Sequence, residues 1–513
     1  MIFLYHIHDT VQEIVDDQAI PVSIQEKEPA KALLAIAERY PEEWIIWCHV
    51  TNKEMLNIQA LPELLHHKRR MVSLGNAQYP FLSPSIGYIE DSPFLKIIAN
   101  KSYPTWCMSS AVGAIHASVL LASGNEITIT RGFDYFLNSL ARKGQAAGIC
   151  CYHEPLLIKR FPSKDTIKKA NTQLQYAFVK EHFKSQWLFF LLMCHIRYEK
   201  KFPLFACLNA LLFVQKKEVF IDLTSIPFQS SKKLLEKLEI DVIIPTLGRK
   251  TYLYDVLKDF SKQTILPQKI VIVEQNPDPD SSSELDYITT ASWPFPIEHQ
   301  FIHQTGACNA RNLALEKTEA DWVFLFDDDN RFESNLLEKI AAAVKETGSH
   351  CINMSYLQEG EVEKHKTYTQ WETFGSGCSV VHRDIVKNAS FDMALEHGYG
   401  EDVDFGMQIR NLGYDVIYAP HIQILHLKAP IGGFRSLPTF PWEEDAILPK
   451  PAPQILFHRT KNTTKAQLKG YKWMLFFKYY SHQPIKNPFS YISYFKKAWK
   501  NSTHWAKKLP LDA

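Results

Sequence analysis

Between residues 240 and 330 short apolar runs alternate with stretches of helical period, and that alternation decides which folds are open to the chain. The runs are "DVIIPT" (241–246), "KIVIVEQN" (269–276), "PIEHQFIHQ" (296–304) and "DWVFLFDDD" (321–329), with "LYDVLKDFSKQ" and "ACNARNLALEKT" reading as helices between them. A run that is apolar at nearly every position has both faces covered, as in a parallel sheet. Strands alternating with helices give an α/β fold. Such sheets bind ligands beyond the carboxyl ends of their strands. The fourth run ends there in three consecutive carboxylates, Asp327, Asp328 and Asp329. Adjacent aspartates repel one another, and in isolation they suit a solvated turn. At this place in this kind of sheet they read as part of a site.

Further along, "GYGEDVDFGMQIRNLGYDVIYAP" (398–420) reads as a helix opened by acids and closed by Gly413, then a strand ended by Pro420. Upstream, "SSKKLLEKLEI" (230–240) has a helical pattern and marks a boundary near residue 236. A chain of 513 residues supports two or three domains, and the divisions fall at 1–235, 236–435 and 436–513. A Gly- and Pro-rich stretch after residue 430 reads as a loop. From Ile455 onward basic and aromatic residues interleave, and Asp512 is the only acid. Two readings of that tail stand: helices lying on an anionic membrane surface through residues 455–513, or helices packing their aromatic faces on the domain. The formal net charge of +1 gives no bias toward nucleic acid, and none is expected as a partner. The nine cysteines include no C-x-x-C pair and read as reduced thiols. "WLFFLLMCHI" (187–196) and "FPLFACLNALLFV" (202–214) fall short of the ~20 residues of a spanning helix, and are expected to be buried helices.

Carboxylates at a strand end are hard oxygen ligands for Mg²⁺ or Mn²⁺, ions that commonly hold phosphate oxygens. The helix start at "TGACNARN" (305–312) offers backbone N–H groups to an anion, with Arg311 adding a charged contact. Glu401 and Asp402 form a second acid pair, one of which could serve as a general base; the alternative is that acids simply favour helix N-termini. His426, after the last strand, is a candidate third metal ligand or an ordinary packed residue.

These residues resemble the GT-A glycosyltransferases, and specifically the inverting family 2, over residues 240–430. The family's first strand is similar to "VIIPTLGR" (242–249), and its Q-T-x-x-P turn and second strand to "QTILPQKIVIVE" (263–274). Its Gly-x-x-x-Ala-Arg-Asn helix matches Gly306, Ala310, Arg311 and Asn312; its D-x-D motif matches Asp327 and Asp329; its Gly-Glu-Asp helix matches Gly400, Glu401 and Asp402. The resemblance implies a Rossmann-like α/β catalytic domain in which Pro245, Thr246, Arg249, Glu274, Arg311 and Asp328 bind the nucleotide sugar. It implies a Mn²⁺ or Mg²⁺ ion on Asp327 and Asp329, with His426 the candidate third ligand named above. Asp402, with Glu401 beside it, would be the base, and Gly375, Ser376 and Gly377 would line the sugar and acceptor pocket. Glu274 stands where the family has Asp, which leaves the base of the nucleotide open. No Q-x-x-R-W motif is present, as expected of a non-processive hexosyltransferase. The implied role is transfer from a nucleotide-sugar donor to a glycan or lipid-linked acceptor in cell-surface polysaccharide or glycolipid synthesis. The implied place is the cytoplasm, peripheral at the inner membrane face. Two other functions are consistent with parts of the pattern: a non-catalytic nucleotide- or glycan-binding relative, and a nucleotidyltransferase.

The first 235 residues echo the second half. "EEWIIWCHVTN" (42–52) parallels "ADWVFLFDDDN" (320–330), setting Trp44 on Trp322 and Asn52 on Asn330, with His49, Val50 and Thr51 where the aspartates stand. "SSAVGAIHASVL" parallels "GSGCSVVHRDIV", and "FDYFLNSLARKG" places Asp134 on Asp402. The expectation is a degenerate second copy that holds no metal and serves as a structural or acceptor-positioning module.

Overall fold

The computed structural model describes residues 1–75, 80–123, 127–160, 169–215, 221–430 and 439–509. They fall into two compact units, Met1–Lys232 with Thr463–Lys472, and Lys233–Asn462 with Trp473–Ala513.

In the first unit the strands β1 (Ile2–Ile7), β2 (Thr10–Asp16), β3 (Trp44–His49), β4 (Arg70–Ser73), β5 (Tyr103–Pro104), β6 (Val112–His116) and β7 (Cys150–His153) form one sheet in the order β2-β1-β3-β6-β4-β7-β5. Around it lie helices α1 (Pro29–Arg39), α2 (Phe133–Ala147), α3 (Thr172–His182), α4 (Gln186–Cys194) and α5 (Leu204–Phe213). The helices α4 and α5 depart from expectation. Leu188, Leu191, Cys194, Ala206, Cys207 and Ala210 are buried, but Phe189, Phe205, Leu212 and Phe213 stand in solvent.

In the second unit β8 (Ile240–Leu247), β9 (Lys269–Gln275), β10 (Ile297–Ile302) and β11 (Trp322–Phe326) are mutually parallel, with helices α6 (Lys250–Ser261) and α7 (Ala307–Glu316) in the connections. The sheet continues through β12 (Asn330–Arg331), β13 (Cys351–Leu357), β14 (Thr369–Gln370), β15 (Cys378–His382) and β16 (Ile417–His426), in the order β10-β9-β8-β11-β15-β13-β16-β12, with β14 also on β16. Helix α8 (Glu401–Leu412) starts after Gly400 and stops at the left-handed Gly413, as the sequence indicates. Ile243, Val271, Val323 and Leu325 pack with Ala310 and Ala314, whose small side chains let α7 lie close to the strands. Because β9 and β10 lie to one side of β8 and β11 to the other, the strand order reverses between β8 and β11. That reversal opens a crevice at their carboxyl ends.

Two details differ from the sequence reading. Residues 231–239 form no helix; of its leucines only Leu238 is buried, so a short segment has no apolar face to stabilise it. Pro420 does not end its strand. The β13–β16 register shifts between Met354/Ala419 and Ser355/Gln423, and Pro420 sits in that irregularity, where no ladder N–H is needed. Part of the loop expected after residue 430, residues 431–438, lies outside the described residues. The tail is helical, in α9 (Pro453–Asn462), α10 (Lys465–Tyr480) and α11 (Pro488–Lys508). Its rings pack on each other, Phe476 against Tyr491 and Phe495 at 4.9 and 5.2 Å between centroids.

The two units share a plan. In both, a parallel pair (β1/β3, β8/β11) is followed by an antiparallel neighbour (β6, β15), then a second antiparallel step and another parallel pair (β4/β7, β13/β16). Registers correspond as well: Trp44 pairs with His116 as Trp322 pairs with His382. Asn52 donates to the Ala111 carbonyl as Asn330 donates to that of Gly377. Asp134, second residue of α2, takes hydrogen bonds from the Ser110 amide and hydroxyl at 2.8 and 2.9 Å. Ser376, at the place of Ser110, acts on Asp402, second residue of α8, by lowering its proton affinity.

Candidate functional site

The crevice at the ends of β8 and β11 is a cleft of about 410 Å³. The sequence-derived residues Pro245, Thr246, Arg249, Arg311, Asp327, Asp328, Asp329, Ser376, Asp402 and His426 line it, with Gly375, Gly377 and Glu401.

The three aspartates sit together because each has its own partners. Asp328 turns back under β8, where Thr246 Oγ1 donates to it at 2.7 Å and Arg249 Nη1 at 2.6 Å. It is 2% exposed, and burial pushes its carboxyl up to about 6 against the pull of Arg249. Asp329 Oδ2 accepts the Ala429 amide at 2.8 Å. Its Oδ1 is buried without a hydrogen-bond partner, 3.5 Å from His426 Nε2. Burial favours protonation of Asp329, but His426, the Ala429 amide and Arg249 more than offset it and hold the carboxyl below its usual range. Asp327 meets Arg311 Nη2 at 3.2 Å and the Tyr356 hydroxyl at 2.9 Å. Tyr356 in turn stacks on His426, with centroids 4.5 Å apart.

Opposite them stand Glu401 and Asp402 in the first turn of α8. Asp402 Oδ1 is buried and has no partner. Burial raises both carboxyls; for Glu401 the adjacent Asp402 charge adds to it, and Arg311 opposes it in both. Arg311 is nearly buried; desolvation acts against its charge, but Asp327, Asp402 and Glu401 outweigh it and keep the guanidinium protonated. The Gly375–Gly377 segment closes the wall between the two acid groups. A Cβ on Gly377 would fall 2.1 Å from Asp327 Oδ2. Gly377→Ala should therefore push Asp327 off Tyr356 and Arg311 and destabilise the unit by about 1–3 kcal/mol, read by urea unfolding.

Two expected contacts are arranged differently. Glu274 does not line the cleft: its carboxylate accepts from Ser283 Oγ, the Glu284 amide and His299 at 2.5, 3.1 and 2.9 Å. The next residue, Gln275, lines it instead and accepts the Gly306 amide at 2.6 Å. The N-terminus of α7 is already taken by an internal anion, since Glu396 accepts the Cys308 and Asn309 amides at 3.0 and 2.7 Å. A carboxylate there is favoured by the helix dipole. Gly306, at φ +145°, leaves room for it; a Cβ would lie 2.3 Å from that carboxylate.

Tyr356, Gln275, His397 and Lys428 also line the cleft and were not found by sequence reasoning. Lone residues of these types in loops and at strand ends have no distinguishing pattern.

For a divalent ion the donor chemistry fits. Asp327 and Asp329 are hard oxygen donors at one strand end, and Asp329 Oδ1 lacks a partner. His426 Nε2 lies 3.5 Å from Asp329, but the ligand atoms of Asp327, Asp329 and His426 do not all gather within 4.8 Å of one another. Among the described residues, the His/Asp set with ligand atoms within 4.8 Å of one another is His350, His382 and Asp384. It lies at the opposite end of β15, where His382 accepts the Asp384 amide at the start of the following short helix.

Residues 241–397 match the model of "Glycosyl transferase family 2". An uncharacterized glycosyltransferase of Haemophilus influenzae is 25% identical over 119 residues, 23% of this chain and 37% of that protein. The glycosyltransferase YwdF of Bacillus subtilis is 27% identical over 109 residues, 21% of this chain and 39% of that one. The chain thus matches less than half the length of either relative. Among solved structures, S. aureus TarS residues 1–349 in complex with UDP-GlcNAc is 15% identical, with a TM-score of 0.39 over 54% of this chain and 89% of that one.

Proposed function

We propose that this chain, whose residues 241–397 are a family 2 glycosyltransferase domain, moves one sugar at a time from a nucleotide-sugar donor to a hydroxyl of a glycan or lipid-linked acceptor, with inversion. One observation carries the reading: the aspartate cluster at the end of β11 and the acid pair of α8 face a single cleft at the reversal point of the sheet.

Asp402 is the general base. Its Oδ1 is unpartnered, Ser376 tempers its proton affinity, and the net rise from burial suits removal of a hydroxyl proton. Thr246, Arg249 and Asp328 form a rigid floor under the nucleotide, beside Pro245 and Gln275. Arg311 and Lys428 supply cations for the diphosphate; Lys428 acts as a point charge at the end of β16. Asp327 and Asp329 would hold Mn²⁺ or Mg²⁺, which when bound offsets the charge gathering on the leaving diphosphate. The first unit, with His49, Val50 and Thr51 at the positions of the aspartates, is a degenerate copy without transferase chemistry.

The test is a thermal-shift panel of UDP, GDP, dTDP and their sugars, each with and without Mn²⁺. One nucleotide should stabilise the protein only with the ion, by about 2.7 kcal/mol at a hundredfold excess over Kd, and Asp329→Ala should abolish the shift. A folded protein unmoved by every nucleotide would overturn the proposal in favour of a binding module of another kind.

A further inference from the structure

A helix at the surface of a globular domain presents one apolar stripe to the core and polar residues to water. Helices α4 and α5 present two apolar stripes each. On α4 Leu188, Leu191 and Cys194 are buried, while Phe189 and Met193, and Ile196 just beyond the helix, are exposed by 52, 38 and 41%. On α5 Ala206, Cys207 and Ala210 face inward, while Phe205, Leu208 and Leu212 face out at 70, 45 and 74%. Phe202 in the connection and Phe213 at the end of α5 are exposed as well, by 68 and 74%. Contiguous exposed apolar surface of this kind marks an interaction site.

The rim around it is basic. Arg197, Lys200 and Lys201 lie in the connection between the helices, where the sole acid, Glu199, is paired with Lys201 at 3.0 Å. The segment of α10 that belongs to this unit adds Lys469, whose ammonium lies over the Tyr198 ring, and Lys472. A protein–protein interface depletes lysine relative to the rest of the surface. Exposed aromatic and aliphatic side chains beside a cluster of Lys and Arg instead match a bilayer, whose acyl boundary takes the former and whose anionic headgroups attract the latter. Each helix is ~15 Å long or less, half of what spanning requires, and no helix of the described residues is long and apolar enough to cross a membrane.

We infer that the α4–α5 hairpin docks this protein in the plane of an anionic membrane, with its outer apolar stripes in the acyl boundary and its basic rim on headgroup phosphates. Its apolar side chains come from α4, α5 and their connection, whereas Phe476, Tyr491 and Phe495 of the tail are engaged with each other.

The experiment is co-sedimentation of the full-length chain with sucrose-loaded vesicles of phosphatidylcholine alone or mixed three to one with phosphatidylglycerol, run beside light scattering of the free protein. Wild type should pellet with the anionic vesicles, with at least tenfold weaker partition at high salt. Phe205→Ser/Leu212→Ser/Phe213→Ser should stay in the supernatant with an unchanged melting curve, since these side chains are already in water. Arg197→Glu/Lys200→Glu should lose the preference for the anionic lipid. Wild type remaining in the supernatant at every lipid concentration would overturn the inference. So would a wild-type dimer that the triple serine variant converts to monomer, which would make this face a contact between two copies.

Discussion

Asp402→Asn should lower kcat by about 10²–10⁴-fold while leaving nucleotide binding unchanged. The amide keeps the volume of the carboxyl, so the wall of the cleft stands. It cannot take a proton from an acceptor hydroxyl. The pH profile separates this chemical role from a structural one. A base works ionised, so activity falls as pH drops through the apparent pKa of the Glu401/Asp402 pair. Burial lifts both members, and the charge of Asp402 lifts Glu401 further. Glu401→Gln removes one of two like charges and should shift the acidic limb to lower pH; in Asp402→Asn the limb should vanish with the activity. The limb belongs to the pair and not to either residue alone. A profile unmoved by Glu401→Gln would remove the acid pair from the mechanism.

The largest effect on stability is expected at Asp404, two residues on. Its side chain is fully buried in α8. It takes Asn462 Nδ2 at 2.5 Å, Gln408 Nε2 at 2.9 Å and Lys461 Nζ at 3.0 Å, with His458 3.8 Å away. These ties hold α9 against α8. Asp404→Ala removes the buried acceptor of Asn462 and Gln408 and one of the two carboxylates on Lys461, which keeps Asp392 at 2.7 Å; the lost charged hydrogen bonds together cost about 3–4 kcal/mol, measured by urea unfolding. Burial alone would raise this carboxyl, but the His458, Lys461 and Gln408 contacts dominate and hold it well below the usual range. The contribution is therefore present above the unfolded value of about 3.9 and lost as pH falls through the folded one. Wild type should lose stability below about pH 4, and Asp404→Asn should flatten that part of the curve.

The sequence made the second unit legible where periodicity and position agreed. The apolar runs became β8, β9 and β11, and Gly400 and Gly413 bound α8. The sequence says less where the outcome depends on which way a side chain points. Glu274 and Gln275 are adjacent on β9, so one faces away from the cleft if the other faces it, and the acidic residue is the one turned toward His299. No local pattern reveals that Glu396, some ninety residues from α7, occupies the helix start. Pro420 looked like a strand end because the bulge that accommodates it depends on the register of β13. The apolar α4 and α5 looked buried because composition does not distinguish a face turned to a core from one turned to lipid or water.

The recurrence of Asp134–Ser110 and Asp402–Ser376 supplies this chain with its own reference experiment. In the first unit both carboxylate oxygens of the pair are consumed by the serine; in the second, one is left over. Asp134→Asn thus reports what the bond is worth to the turn alone, in the same strand order and at the same helical position. Whatever Asp402→Asn does beyond that is attributable to the spare oxygen. A single polypeptide in this way separates what a carboxylate does for architecture from what it does for reactivity, with no second protein required for the comparison.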